Sequence, residues 1–326
     1  MSSQTTPVSI IIPVYNGVEL LREALSSAFS QDPAPAEVIV VDDGSPDRPD
    51  RVLVDFPDVI VIRQENRGVG AARNAGLERA SAPYVLFLDQ DDRLLPGALK
   101  MALDELETLP EAAFSSGRNR PVRADGTPWE ADVAPRPRVA SDHYREILLD
   151  TWICPPSTVL FRRQALLSAG RWSEDLRYAG ADDYELYLRI TRQYPIVDHE
   201  GVIADYRMHA GNTSRDAGAM LTSISNVLLD ERPYTCGDRR LERARRAGLR
   251  MWRARLELKS SGQDLAHALR DRRRIGRAAA GATAMIGRHP VYFSRLLADH
   301  LSRSASRSGE SGTVRAIAAE TRRKLG

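Results

Sequence analysis

The 326-residue chain has only two cysteines, Cys154 and Cys236, and they lie far apart. That scarcity excludes a disulfide framework and a cysteine-built zinc cluster, and it fits a reducing compartment. No apolar run approaches the ~20 residues that a membrane span requires. No stretch near the N-terminus reads as a signal peptide. Charged or helix-breaking residues interrupt the early apolar runs, and Ser9–Val14 reads as a strand. The expected location is therefore cytoplasmic. No repeat is long enough for a solenoid, although the C-terminal part has room for one or two helical hairpins. A Gly-x-x-x-x-Gly-Lys-Ser/Thr phosphate loop is missing. Gly68-Val-Gly70-Ala-Ala-Arg73 has the look of a dinucleotide fingerprint. Arg73 replaces its last glycine, however, and the segment does not follow the first strand.

What is present is a chain with 42% hydrophobic residues, enough for one large α/β domain and a smaller appendage. The net charge of +2 conceals an asymmetry. Residues 1–238 carry 24 Lys and Arg against 37 Asp and Glu, or −13, and residues 239–326 carry 22 against 7, or +15. An acidic front part suits a domain that holds a cation, and the basic tail needs a separate account.

Val8–Pro13, Glu37–Asp42, Val59–Ile62 and Tyr84–Leu88 read as buried strands, with helical spacing over Glu19–Ser30 and Gly68–Ala80 between them. Alternating strands and helices imply βαβ units and a mostly parallel central sheet flanked by helices. Ligands of such sheets bind beyond the carboxyl ends of the strands, where Tyr15, Asp43 and Asp91 all fall. Further along, Thr158–Phe161 reads as a strand, and Gln164–Ala169 and Asp182–Thr191 as helices. Arg118–Arg138 reads as an irregular loop that shapes an acceptor site together with Trp152–Thr158. Asp92 reads as the cap of a helix over Leu94–Leu109. The expected division is a catalytic domain over 1–220 and a basic helical extension over 221–326. In the extension, a turn is expected at Ser261–Asp264, a second helix toward Gly287, and a mobile stretch over Arg303–Gly312.

Four segments carry the chemistry. They are Val8-Ser-Ile-Ile-Ile-Pro-Val-Tyr-Asn16, Val41-Asp-Asp-Gly-Ser-Pro-Asp47, Glu65-Asn-Arg-Gly-Val-Gly-Ala-Ala-Arg-Asn-Ala-Gly76 and Phe87-Leu-Asp-Gln-Asp-Asp92. Later pieces are Gly170-Arg-Trp-Ser-Glu174, Ala181-Asp-Asp-Tyr-Glu-Leu186 and Tyr206-Arg-Met-His209. In order and spacing, over about residues 7–215, they resemble glycosyltransferase family 2 with its A-type, Rossmann-like nucleotide-sugar fold.

The resemblance implies an inverting transfer of a sugar from a nucleotide diphosphate donor, most often a UDP-sugar, to an acceptor hydroxyl. It implies a role in polysaccharide, glycolipid or glycoconjugate biosynthesis. Pro13 and Tyr15 fall at the nucleotide-base site, where Asp43 can accept from a base N–H; Asp43 as a mere turn cap is the alternative. Asp89-Gln-Asp91 matches the Asp-x-Asp motif, with Asp89 facing the ribose or metal-bound water and Asp91 a ligand of Mn²⁺ or Mg²⁺. Asp183 takes the place of the general base. Asp182 stands where relatives often have glutamate, and both acids also suit a helix N-terminus. His209 is either a further metal ligand or a surface histidine, and Arg73 either a nucleotide contact or a helix-surface arginine.

Two other classes remain open. A non-catalytic relative would bind nucleotide sugar as a scaffold. A sugar-nucleotide nucleotidyltransferase would need a Gly-rich triphosphate loop with a lysine, which Pro13-Val-Tyr15-Asn16 is not. Nucleic acid is not an expected partner. In the tail, Leu241, Ala244, Gly248, Trp252 and Leu256 recur at helical spacing among arginines. Residues 239–300 are read as helices whose basic faces bind an anionic membrane surface. Packing on the acidic domain, a homodimer contact and a solvated helical face are the alternatives.

Overall fold

A computed structural model describes residues 5–128 and 142–270, with side chains up to residue 257. Its strands are β1 (Thr6–Val14), β2 (Pro35–Asp42), β3 (Ile60–Arg63), β4 (Tyr84–Phe87), β5 (Arg93–Leu94), β6 (Phe114–Arg123), β7 (Val159–Arg162) and β8 (Val197–Met208). The α-helices are α1 (Val18–Phe29), α2 (Asp50–Leu53), α3 (Val69–Arg79), α4 (Ala98–Glu107), α5 (His143–Leu149), α6 (Arg163–Ser168), α7 (Asp182–Thr191), α8 (Ala217–Asp230), α9 (Arg232–Thr235) and α10 (Arg239–Arg270).

One sheet of eight strands has the order β3-β2-β1-β4-β7-β6-β8-β5. The expected parallel arrangement holds from β3 to β4. Beyond β4 the sheet is mixed: β7 runs antiparallel to β4 and β6, β8 runs parallel to β6, and β5 antiparallel to β8. The apolar runs of β1, β2 and β4 are the buried centre, with Ile10, Ile12, Val38, Val40 and Leu86 at or near zero exposure. Helices α1 and α4 cover one face of these strands through Leu21, Leu25, Leu99 and Leu106. Helix α3 presses small residues on the other face, where a Cβ on Gly76 would come within 2.4 Å of Ile11.

Strands β6 and β8 carry no sequence signal of their own. Arginines, Pro121 and Gly117 break the alternation of β6, and Gly201 interrupts β8. The segment Arg118–Arg123, expected as loop, is thus strand, because the β8 ladder satisfies its backbone. The rest of that expected loop, from residue 129, lies outside the described residues. Helix α4 starts at Ala98 after Gly97, so Asp92 does not cap it. The expected turn at Ser261–Asp264 is absent, since α10 continues to Arg270. A glycine inside a helix costs only ~1 kcal/mol, which neighbouring helix formers offset. The second tail helix and the Arg303–Gly312 stretch lie outside the described residues.

The chain divides into two compact units, residues 1–215 with 223–248, and residues 216–222 with 249–326. The first unit thus reaches past residue 220. Glu231 accepts a 2.6 Å bond from Tyr144, Arg245 donates to the Leu228 carbonyl at 3.0 Å, and a Cβ on Gly248 would lie 2.0 Å from the Leu148 carbonyl. Ala244 and Gly248 of the tail's apolar stripe are therefore turned inward in this unit. Arg239, Arg240, Arg243, Arg246, Arg250 and Arg253 are exposed.

Candidate functional site

Strands β1, β2 and β4 end side by side, and the turns that follow them open into one cavity of about 490 Å³. Pro13, Tyr15, Asp43, Arg73, Asp89, Asp91, Asp182 and Asp183 all line it. His209 is not on its wall but reaches it through Asp91.

At one end, Tyr15 is half exposed with its ring free to meet a planar group. Its backbone is fixed by Gln90, the middle residue of Asp89-Gln-Asp91. Gln90 Oε1 accepts from the Tyr15 N–H at 3.0 Å, and its Nε2 donates to the Tyr15 carbonyl at 3.2 Å. Sequence reading passes over Gln90 because only the acids of that motif carry an evident charge.

Asp43 is buried, and its carboxylate is already engaged. One oxygen accepts from Gln64 Nε2 at 2.7 Å and from the Arg67 N–H at 2.9 Å, and the other from the Gly68 N–H at 2.9 Å. A carboxylate has about four lone-pair sites, so room for one further donor remains. Asp43 thereby organises the turn into α3, where Gly68 has φ +89°. Asp42 caps the preceding turn by accepting from the Ser45 N–H at 2.8 Å.

Helix α3 delivers Arg73 to the cavity floor. The residue is 4% exposed, which rules out a helix-surface arginine. It donates to Asp89 at 2.9 Å and to Asp182 at 2.5 Å, and its guanidinium lies 4.2 Å from the Trp172 ring centroid. Asn74 ties this layer together. It exchanges two 3.0 Å bonds with the Trp172 backbone and donates a third to Glu174. A Cβ on Gly70 would sit 2.3 Å from the Ser173 carbonyl, so this glycine serves close packing rather than phosphate binding. The segments Glu65–Gly76 and Gly170–Glu174 are thus two halves of one packed layer.

Asp92 is fully buried. It accepts from Ser157 Oγ at 2.8 Å and from the Arg207 N–H at 3.1 Å, while Ser157 Oγ accepts from the Asp89 N–H at 3.2 Å. Burial, then the charges of Asp89 and Asp91, push Asp92 well above the usual carboxylate range. Asp91 is also raised, by burial and by Asp89, with His209 pulling the other way. The charge of Asp89 thus opposes ionisation of Asp91 and Asp92, which favours a cation partner.

His209 Nε2 lies 2.7 Å from Asp91 Oδ2. Its Nδ1 accepts from the Gly211 N–H at 3.1 Å, which assigns the ring proton to Nε2. A hard carboxylate oxygen beside an imidazole nitrogen fits Mn²⁺, or Mg²⁺ through the oxygen, with ligand oxygens and water completing the shell. To ligate through Nε2, the ring must give up that proton and the Gly211 contact. Among the described residues no group of three His, Cys, Asp or Glu side chains forms a complete cage.

Helix α7 opens with Asp182 and Asp183. Asp182 is committed to Arg73. Asp183 accepts from its neighbour's N–H, Tyr184 at 2.7 Å, and it faces the cavity. Burial first, then the adjacent Asp182 charge, push its pKa up to about 7. One acid is held in an ion pair and the next is poised to exchange a proton, which is the separation of environments that acid–base chemistry needs.

The chain is similar to known proteins in sequence and in fold. The family model for glycosyl transferase family 2 matches residues 9–168. An uncharacterized glycosyltransferase of Rickettsia prowazekii is 31% identical over 64% of this chain and 66% of its own length. The chondroitin synthase of Escherichia coli is 30% identical over 64% of this chain and 30% of its own length. The chain thus spans about two thirds of the first of these relatives and under a third of the second. Among solved structures, residues 1–349 of S. aureus TarS align with a TM-score of 0.59 at 18% identity, covering 94% of this chain and 92% of that one. The mannosyltransferase PcManGT of Pyrobaculum calidifontis, in complex with GDP-Man and Mn²⁺, aligns with a TM-score of 0.56 at 20% identity, covering 99% and 87%. The curled mixed sheet is the A-type glycosyltransferase fold, and the chain belongs to glycosyltransferase family 2.

Proposed function

We propose that this protein is a metal-dependent, inverting glycosyltransferase that moves a sugar from a nucleotide diphosphate donor to an acceptor hydroxyl. The observation that carries the reading is the raised carboxyl of Asp183 facing the same cavity as Asp89 and Asp91. The base stacks on or packs beside Tyr15, and the remaining lone pair of Asp43 accepts from it. Arg73 holds Asp89 and Asp182 in place. Asp91, with His209, would hold a divalent cation, whose charge would neutralise the diphosphate and stabilise the leaving group. Asp183 takes the proton of the acceptor hydroxyl as that oxygen attacks the anomeric carbon from the face opposite the diphosphate, so one base suffices and no second carboxylic acid is needed. A UDP-sugar is the expected donor, since it is the donor the family uses most. Polysaccharide, glycolipid or glycoconjugate synthesis is the expected setting.

Thermal unfolding with nucleotides tests the donor half of this reading. A ligand of the native state raises the unfolding temperature by mass action. UDP with Mn²⁺ is expected to raise it more than either alone. No shift with UDP or GDP in the presence of Mn²⁺ would reject a nucleotide diphosphate site.

We further infer a peripheral site of action at the inner face of a membrane. The exposed arginines of α10 support it; the inward-turned Ala244 and Gly248 leave charge, not the whole apolar stripe, as the attraction. Basic residues near an anionic leaflet contribute ~1 kcal/mol each. Co-sedimentation is expected with anionic vesicles and is expected to weaken as salt rises, because surface charges are screened over ~8–10 Å at physiological strength. Equal sedimentation with neutral vesicles, or none with either, would remove the anchor. No described helix is long and apolar enough to cross a membrane.

A further inference from the structure

Arg207, near the end of β8, is a buried charge for which the transfer chemistry has no direct use. Its side chain is 1% exposed and does not line the cavity. The guanidinium donates to three separate segments: Nε to the Asp91 carbonyl at 3.0 Å, Nη1 to the Ala124 carbonyl at 2.9 Å, and Nη2 to the Glu23 carboxylate at 2.6 Å. The Arg207 N–H donates to Asp92. Its carbonyl accepts from Asn212 Nδ2 at 2.9 Å, and Asn212 Oδ1 accepts from the His209 N–H at 2.5 Å.

Asp91 and His209 thus hang from the same residue. Arg207 fixes the Asp91 backbone through its side chain and the His209 turn through its main chain. A planar guanidinium holds three acceptors in fixed directions, which an ammonium on a flexible stem cannot do. Burying such a charge is costly, and an apolar residue of similar size often serves stability equally well. The cost is consistent with a demand for geometry at this point rather than for stability alone.

We propose that Arg207 is a positioning residue that sets the spacing of Asp91 and His209 and thereby the affinity for the divalent cation. The proposal rests on the metal reading above. Groups that orient metal ligands from behind typically change metal affinity or activity 10–100-fold when altered.

The test is Mn²⁺ titrated into the full chain with UDP present, with bound ion counted from the loss of the free-ion electron paramagnetic resonance signal. Arg207→Lys is expected to weaken Mn²⁺ binding ~10–100-fold. Glu23→Ala, outside the cavity and half exposed, is expected to weaken it in the same direction by less, since it releases one arm of the fork. Each variant is checked for native folding by near-ultraviolet circular dichroism. A folded Arg207→Lys variant with wild-type Mn²⁺ affinity would overturn the proposal. If that variant does not fold, Glu23→Ala decides alone, and unchanged affinity there overturns it. A wild-type chain that binds no Mn²⁺ would instead reject the metal reading and this proposal with it.

Discussion

Asp183→Asn is expected to lower the transfer rate ~10²–10⁴-fold while leaving donor affinity nearly intact, because positioned general-base catalysis contributes about that factor. The amide keeps the shape of the carboxylate and can still accept from the Tyr184 N–H, so the N-terminus of α7 is preserved. It cannot take a proton. The wild-type rate is expected to rise with pH through about 7, the value to which burial and Asp182 raise Asp183, since only the ionised form is a base. Stability moves the opposite way. A carboxyl with a raised folded-state pKa binds its proton more tightly folded than unfolded, so its contribution falls as pH increases from the ordinary carboxylate range through about 7. Asp183→Asn removes this penalty and is expected to unfold at a higher temperature than the wild type above pH 7. Separate measurements of transfer and of donor binding check the first expectation, and melting curves on both sides of pH 7 the second. A variant retaining more than about a tenth of the activity would move the base elsewhere.

Chelation is expected to abolish transfer, and Mn²⁺ to restore it. Asp91→Ala is expected to be inactive at every metal concentration, because it removes the carboxylate that meets both His209 and the cavity. Loss of a hard oxygen ligand cannot be offset by the imidazole alone when Mg²⁺ is the ion. His209→Ala is expected to be milder, with a higher Mn²⁺ requirement and residual activity, since oxygen ligands and water can fill its position. Transfer rates against free metal after exhaustive chelation decide the matter. Activity that survives chelation unchanged would sink the metal assignment, and wild-type behaviour of His209→Ala would leave His209 as a partner of Asp91 only.

Much of this site was legible in the sequence because it is built on strand ends. Apolar runs at Val8–Pro13, Glu37–Asp42 and Tyr84–Leu88 specify buried parallel strands, and residues just past them must gather on one edge. Tyr15, Asp43 and Asp91 follow from that placement, and the Asp-x-Asp resemblance adds Asp89. The motif leaves Arg73 either a nucleotide contact or a helix-surface arginine, and its burial between Asp89, Asp182 and Trp172 depends on a contact with a segment about 100 residues away. Asp92 has the local look of a helix cap, as an acid before Leu94-Leu95, although α4 starts only at Ala98. Only the approach of Ser157 and Arg207 makes it a buried tether.

Local signals alone specify the first four strands, helices α1, α3 and α7, and the acids that follow them. Periodicity and turn chemistry act over a few residues, so they can be read without knowing the rest. The tertiary fold sets what depends on neighbours far along the chain. Strands β6 and β8 exist because each supplies the other's hydrogen bonds, despite Gly117, Pro121 and Gly201. It also separated two adjacent acids with the same local sequence, giving Asp182 to the Arg73 ion pair and leaving Asp183 at the cavity with its proton affinity raised by burial. No spacing rule distinguishes those two residues, because desolvation and charge pairing are set by what surrounds a group in space and not by its position in the chain.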